Sequence, residues 1–209
     1  MSLLLSTAYL PPVQYLSKFL YGDDVFIEKH EHYQKQSYRN RCCIYGANGR
    51  QCLVIPVKKM HGDKMPIAEV EIDYATNWQK IHLKSIESAY RLSAFYEYYA
   101  DNFNTFYTRR TRFLYEWNMD LLNFLLKTFQ IPGTPLPTTN FEKNGDNGAD
   151  FRNSIHPKDR LNMPDPGFKL IPYQQVFQER YGFISNLSAI DLLFNEGPRA
   201  REVLKECSL

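Results

Sequence analysis

The stretch LLLSTAYLPPVQYLSKFLYGDDVFI, residues 3–27, decides the fold. Leu3 to Tyr9 is a short apolar-rich run stopped by Pro11-Pro12, and it reads as a buried strand. Val13 to Tyr21 places apolar residues at 13, 16, 19 and 20, a helical spacing. Pro12 suits the first turn of that helix, where its missing N–H is not needed. Gly22-Asp23-Asp24 ends the helix, and Val25-Phe26-Ile27 starts a second strand. A strand-helix-strand unit of this size is a crossover between parallel strands. It carries no GxGxxG, so the dinucleotide fingerprint is absent.

Downstream, Asn40 to Tyr45 and Gln51 to Val57 flank Gly46-Ala47-Asn48-Gly49, and Asn48-Gly49 predicts a hairpin because both residues tolerate positive φ. Ile67 to Ile72 alternates apolar and polar residues and predicts a half-exposed strand. From Thr76 the period changes. Thr76 and Gln79 fit a capping box, and Trp78, His82, Ile86, Ala89 and Tyr90 then share one face of a helix running into the late nineties. Phe113 to Phe129 predicts a second helix, apolar on most sides and therefore central. Pro132 to Gly167 holds six of the 12 prolines and four of the 10 glycines, a long loop suited to a lid. Ser188 and Asp191 open a short helix, Gly197-Pro198 stops and restarts the chain, and Arg199 to Cys207 is a final helix. The predicted fold is α/β, one domain over residues 1–209. Its mixed sheet is opened by the strand-helix-strand unit and the hairpin, with a helical layer and the long Pro/Gly-rich loop.

Composition bounds the function. At 209 residues and 24.6 kDa the chain fits one generous domain. With 44% hydrophobic and 23% charged residues it is globular, not disordered. A net charge of +2 is too weak to make nucleic acid or a membrane surface the default partner. No segment approaches 18 uninterrupted apolar residues, so no membrane span is predicted. The start, MSLLLSTAYLPP, has no basic residue before its short apolar run and does not read as a signal peptide. Cys42, Cys43, Cys52 and Cys207 make no secreted disulfide framework in a chain this long, and a cytoplasmic location follows.

Several polar groups invite chemistry. His82 lies mid-stripe on its helix and reads either as a general acid or base or as a core-edge histidine bonded to a carbonyl. His30 and His32, with Cys42 and Cys43, have the residue types of a zinc site but not the spacing, so no metal is predicted. Glu28, Lys35, Tyr38, Asn40 and Arg41 form a dense polar stretch; Arg41 either clamps a carboxylate or phosphate or forms a surface ion pair near Glu28. Residues 150–160 include Arg152, His156, Lys158 and Arg160, which fit a basic lid over an anion or a solvated linker. The Ser188 helix start offers N–H groups to an anion or is ordinarily capped. Arg109, Arg110 and Arg112, flanked by Phe106, Tyr107 and Phe113, read as a basic helix junction or a single-strand binder.

Taken together these residues resemble the WbqC-like protein family. The resemblance includes Tyr9-Leu10-Pro11-Pro12 with Tyr15, similar to the family's QPxYxP start, although Ala8 stands before Tyr9 where many members carry Gln-Pro. It continues with Tyr38-Arg39-Asn40-Arg41, Gly46-Ala47-Asn48-Gly49 and Leu53-Val54-Ile55-Pro56-Val57. Asn77-Trp78 followed by His82 resembles the W-x-x-x-H helix, and residues 173–177 and 186–198 resemble the closing signature. The resemblance implies a role in surface-polysaccharide (O-antigen type) biosynthesis, with transfer of an amino acid such as glycine, or of an acyl group, onto a sugar. The alternative is non-catalytic binding of a glycan or nucleotide-sugar. On this reading His82 and Asp191 are catalytic, while Tyr38, Asn40, Arg41, Arg152, Lys158 and Ser188 hold a small-molecule or nucleotide-sugar substrate, with no cofactor. The sequence leaves the oligomeric state open.

Overall fold

The computed structural model describes residues 2–22, 24–59, 64–142 and 148–208. The chain opens as read from its sequence. Strand β1 (Ser2–Ser6) leads into helix α1 (Val13–Ser17), continued by a 3-10 turn over Lys18–Leu20, and then into β2 (Asp24–Glu28). Asp23 of the predicted helix stop lies outside the described residues. β1 and β2 pair in parallel from Ser2↔Asp24 to Ser6↔Glu28. β3 (Arg41–Gly46) and β4 (Gly49–Val54) form the predicted antiparallel hairpin. It stands as a separate two-stranded sheet, so the α/β reading holds with parallel and antiparallel pairing in different sheets.

The helical layer follows. Helix α2 (Trp78–Tyr90) buries Trp78, His82, Ile86, Ala89 and Tyr90, the five residues its spacing singles out. It ends at Tyr90, short of the late nineties, where Ser93 turns its N–H and hydroxyl to the Tyr90 carbonyl and Phe95 N–H reaches the Phe194 carbonyl. A separate helix α3 (Tyr96–Thr108) comes next, then α4 (Leu114–Thr128), which is central as predicted and buries Trp117 and four leucines from 121 to 126. The capping box does not form: Gln79 donates its side-chain amide to the Arg109 carbonyl instead. The predicted strand at Ile67–Ile72 is a 3-10 turn over Ile67–Glu69 and two isolated bridges. Its backbone bonds go to Glu31, Lys58, Arg112 and Leu114 rather than to one partner strand.

The Pro/Gly-rich stretch supplies half of the parallel sheet. β5 (Leu136–Pro137) adds to β2 and β6 (Gly148–Asp150) adds to β1. Pro137 is tolerated because β5 is an edge strand. Gly148 is required by close approach, since a Cβ there would lie 1.9 Å from the Ser2 carbonyl oxygen. The remaining helices are α5 (Gln178–Tyr181), α6 (Ala189–Glu196) and α7 (Ala200–Glu206). The four-stranded order is β5-β2-β1-β6. In chain order that is third, second, first, fourth, so the winding reverses between β1 and β6. Open parallel sheets bind ligands beyond the carboxyl ends of their strands at such a reversal.

Candidate functional site

Each of the four parallel strands delivers polar residues at its carboxyl end. Ser6 ends β1 and Thr7 follows it, Glu28 ends β2 with His30 and Glu31 just beyond, Thr138 follows β5, and Asp150 ends β6 with Arg152 just beyond. Glu28 is fully buried. Its carboxylate accepts from the Thr138 hydroxyl at 2.7 Å, the His30 N–H at 2.9 Å and Arg152 Nη1 at 3.0 Å. Arg152 also donates Nε and Nη2 to Asp150. Burial raises the Asp150 carboxyl, but the Arg152 hydrogen bonds and charge outweigh it and hold the group below its usual range. Beside this pair, Arg39 grips Glu31 through Nε and Nη2, and both residues are buried. Burial raises the Glu31 carboxyl, with Arg39 opposing it. Buried guanidinium–carboxylate pairs of this kind fix geometry more than they add net stability, since the desolvation cost is large.

The segment after β6 docks on residues 31–41. Gln34 donates to Asn153 at 3.1 Å, Arg39 Nη2 reaches the Arg152 carbonyl, and Lys158 Nζ donates to Gln36 Oε1. His156 sits half-buried in this joint. Burial, then the charges of Lys158, Arg39 and Arg41, push its imidazole below the ordinary value. Its Nδ1 accepts the Lys158 backbone N–H at 3.0 Å, so the proton of the neutral ring is on Nε2, which is a donor. Arg39 is neutralised by Glu31. Arg41 and Lys158 are not paired to a carboxylate among the described residues, and Arg41 Nε has no hydrogen-bond partner there. The result is a rim with surplus positive charge; Thr7 Oγ1, just after β1, and Ser154 Oγ, after β6, are likewise buried without a hydrogen-bond partner among the described residues.

A second layer holds this rim in place. Tyr9 N–H bonds to the Tyr38 carbonyl, Asn118 donates to the Arg39 carbonyl at 2.8 Å, and Asn40 donates to Ile55 at 2.9 Å. His82 is 4% exposed. Its Nδ1 meets the Tyr9 hydroxyl at 2.9 Å, Tyr9 meets Tyr107 at 2.6 Å, and the Trp78 ring packs edge-on at 5.1 Å. Burial takes the His82 ring down to about 4, partly opposed by a hydrogen bond to the Val54 backbone. It is therefore neutral at pH 7 and sealed in the core.

Of the residues singled out from sequence, Tyr38, Asn40, Arg41, Arg152 and Lys158 come to this one region. Arg152 is not a mobile cation there, because two carboxylates occupy its guanidinium. The pairing imagined between Arg41 and Glu28 is made by Arg152 instead. Ser188 and Asp191 bond to none of these residues among those described. Ser188 donates to the Leu10 carbonyl, and Asp191 accepts from Tyr173 at 2.7 Å and Gln175 at 2.8 Å. The Ser188 hydroxyl does not cap its helix, and the Ala189 N–H is taken by the Pro11 carbonyl. His30 donates to the Thr138 carbonyl at 3.2 Å, and no group of three or more His, Cys, Asp or Glu among the described residues is placed to hold a metal. Arg109 and Arg112 pair with Asp120 and Glu71. Glu31 and Thr7 are the additions. Glu31 and Arg39 are joined across an irregular loop whose spacing carries no periodic signal, and nothing in the sequence announces that β6 brings residues 152–158 beside them.

Fold and site define an α/β protein with a cation-rimmed edge on a small parallel sheet, and no described helix is long and apolar enough to cross a membrane. The chain belongs to the WbqC-like protein family, whose sequence model matches residues 7–155. That span holds Thr7, the 38–41 segment, His82 and Arg152, and stops short of Lys158, Ser188 and Asp191. The chain is also 25% identical over 224 residues, covering 95% of each chain, to "Uncharacterized protein Rv1507c" of Mycobacterium tuberculosis. No solved structure matches it.

Proposed function

We propose that the protein serves surface-polysaccharide (O-antigen type) biosynthesis, and that Arg41, Lys158 and the His156 Nε2–H hold the phosphate or carboxylate of a sugar substrate. The observation that carries this reading is the docking of the segment after β6 on residues 34–39, through Gln34 to Asn153, Arg39 to the Arg152 carbonyl and Lys158 to Gln36, which sets Lys158 and His156 beside the chain that leads into Arg41. Charge-assisted hydrogen bonds to phosphate are the strong ones, and Arg41 has donors to spare. A nucleotide-sugar offers the charge. The reaction that fits the family resemblance is transfer of an amino acid such as glycine, or of an acyl group, onto the sugar.

One observation favours a second reading, binding without chemistry. His156 presents a donor, not a vacant nitrogen, and His82 has its Nδ1 engaged by Tyr9. The rim is therefore better equipped to hold an anion than to remove a proton. In either reading His82 is a positioning residue, keeping the Tyr9 loop and the 38–41 segment in register.

Thermal melting with a panel of nucleotide-sugars, followed by mass spectrometry after adding amino-acid and acyl donors, tests both. A ligand at a hundred times its Kd stabilises by about 2.7 kcal/mol, several degrees for a chain of this size. A covalent sugar product supports the transferase; a shift without product supports the binder. If no nucleotide-sugar or sugar phosphate moves the melting point, both readings fail.

A further inference from the structure

We infer that Cys52 is a site of reversible thiol oxidation by peroxides, and that Cys43 resolves it as a disulfide across the β3–β4 hairpin. The two residues are register partners on adjacent antiparallel strands. Opposed positions bring Cβ atoms to about 4.5–5.5 Å, next to the 3.5–4.5 Å span of a disulfide. Here the sulfurs face each other at 2.7 Å. Both are thiols, and their accessibility is asymmetric: Cys52 is exposed and Cys43 is buried. That is the arrangement of an attacking and a resolving thiol.

The electrostatics agree with the geometry. The Cys43 S–H bonds toward Cys52, and the charges of Arg50 and Arg41 add to it. Together they draw the Cys52 thiol down to about 6 against the opposing effect of burial. The same contact drives Cys43 up, so the proton rests on the inner sulfur. Reactive cysteines are low-pKa, accessible and near a resolving thiol. Cys42, one residue away, points to the opposite face of the strand and is fully buried.

The chemistry balances. The Cys52 thiolate attacks one oxygen of hydrogen peroxide, the O–O bond breaks, and hydroxide leaves, giving a sulfenic acid. Cys43 sulfur then attacks Cys52 sulfur, the S–O bond breaks, and the departing hydroxide takes up the Cys43 proton as water. The first hydroxide takes up the proton that Cys52 released on ionising. Two thiols and one peroxide become one disulfide and two waters.

The test uses the full chain. Peroxide treatment, alkylation of remaining thiols and trypsin digestion without reduction are followed by mass spectrometry. Cleavage at Arg41, Arg50 and Lys58 puts the two cysteines on separate peptides, 42–50 and 51–58. The expected result is a linked pair that dithiothreitol releases and that Cys42→Ala leaves intact. Cys52→Ser loses the link, and Cys43→Ala stops at a Cys52 sulfenic acid trapped by dimedone. The inference is overturned if Cys52 stays fully alkylatable after peroxide. It is also overturned if the link persists in Cys43→Ala, or if Cys43→Ala yields no dimedone adduct.

Discussion

Tyr9 and His82, 73 positions apart, meet through a 2.9 Å hydrogen bond between phenol oxygen and Nδ1. The contact ties the loop after the first strand to the centre of α2. With Nδ1 accepting from Tyr9 and the other ring nitrogen turned toward Val54, one neutral tautomer satisfies both ends.

That neutrality has a pH signature. In the fold His82 titrates near 4, against 6.5 when unfolded. The unfolded chain therefore takes up a proton first. The stabilising contribution is complete above pH 6.5 and is lost as pH falls toward 4, by up to about 3 kcal/mol. Urea denaturation at pH 7 and pH 4.5 checks this: His82→Gln lowers stability at pH 7 and flattens the loss on acidification.

Asp191 acts with the opposite sign. Burial raises its carboxyl to about 6, with Tyr173 and Gln175 opposing. The fold prefers the protonated acid, so this contribution is complete below the unfolded value of 3.8 and is lost as pH rises through 6, again by about 3 kcal/mol. Asp191→Asn removes that offset. Its stability falls more steeply than wild type between pH 6 and pH 4 in the same denaturation series.

What the sequence made legible followed periodicity. The α2 stripe, the central α4 and the opening crossover each repeat over enough residues for one face to stand out. Leu136-Pro137 and Gly148 to Asp150 are too short for any period, and only the register with Phe26 and Ser2 makes them strands. The helix over Tyr96–Thr108 was hidden because aromatic and polar residues alternate around it, with only Tyr96, Phe103 and Tyr107 buried. The site followed the same division. Arg41 and Lys158 were visible as charges, but that Arg152 is neutralised depends on Glu28, 124 positions away.

Breaking that long-range pair is expected to be costly. Arg152→Ala leaves the fully buried Glu28 carboxylate without its cation, a loss of about 3–5 kcal/mol. Arg41→Ala touches no ion pair among the described residues and stays within about 0.5 kcal/mol. Chemical denaturation of the two variants side by side separates the framework cation from the rim cation.

Gly197 joins α6 to the following turn with φ +54°, and a Cβ there would lie 2.4 Å from the Phe95 ring. Gly197→Ala is expected to cost about 1–3 kcal/mol from the clash alone, beyond the conformational cost of roughly 1–2 kcal/mol. Gly133→Ala, at φ +102° with nothing within 4 Å, carries only the conformational cost. Melting temperatures of the two variants rank them.

The cation rim is the centre of the account, and calorimetric titration of a nucleotide-sugar into wild type, Arg41→Ala, Lys158→Ala and the exposed control Lys35→Ala tests it most directly. The predicted result is saturable binding that Arg41→Ala and Lys158→Ala each weaken at least tenfold, about 1.4 kcal/mol, while Lys35→Ala binds as wild type does. Equal affinity across all four proteins would contradict it.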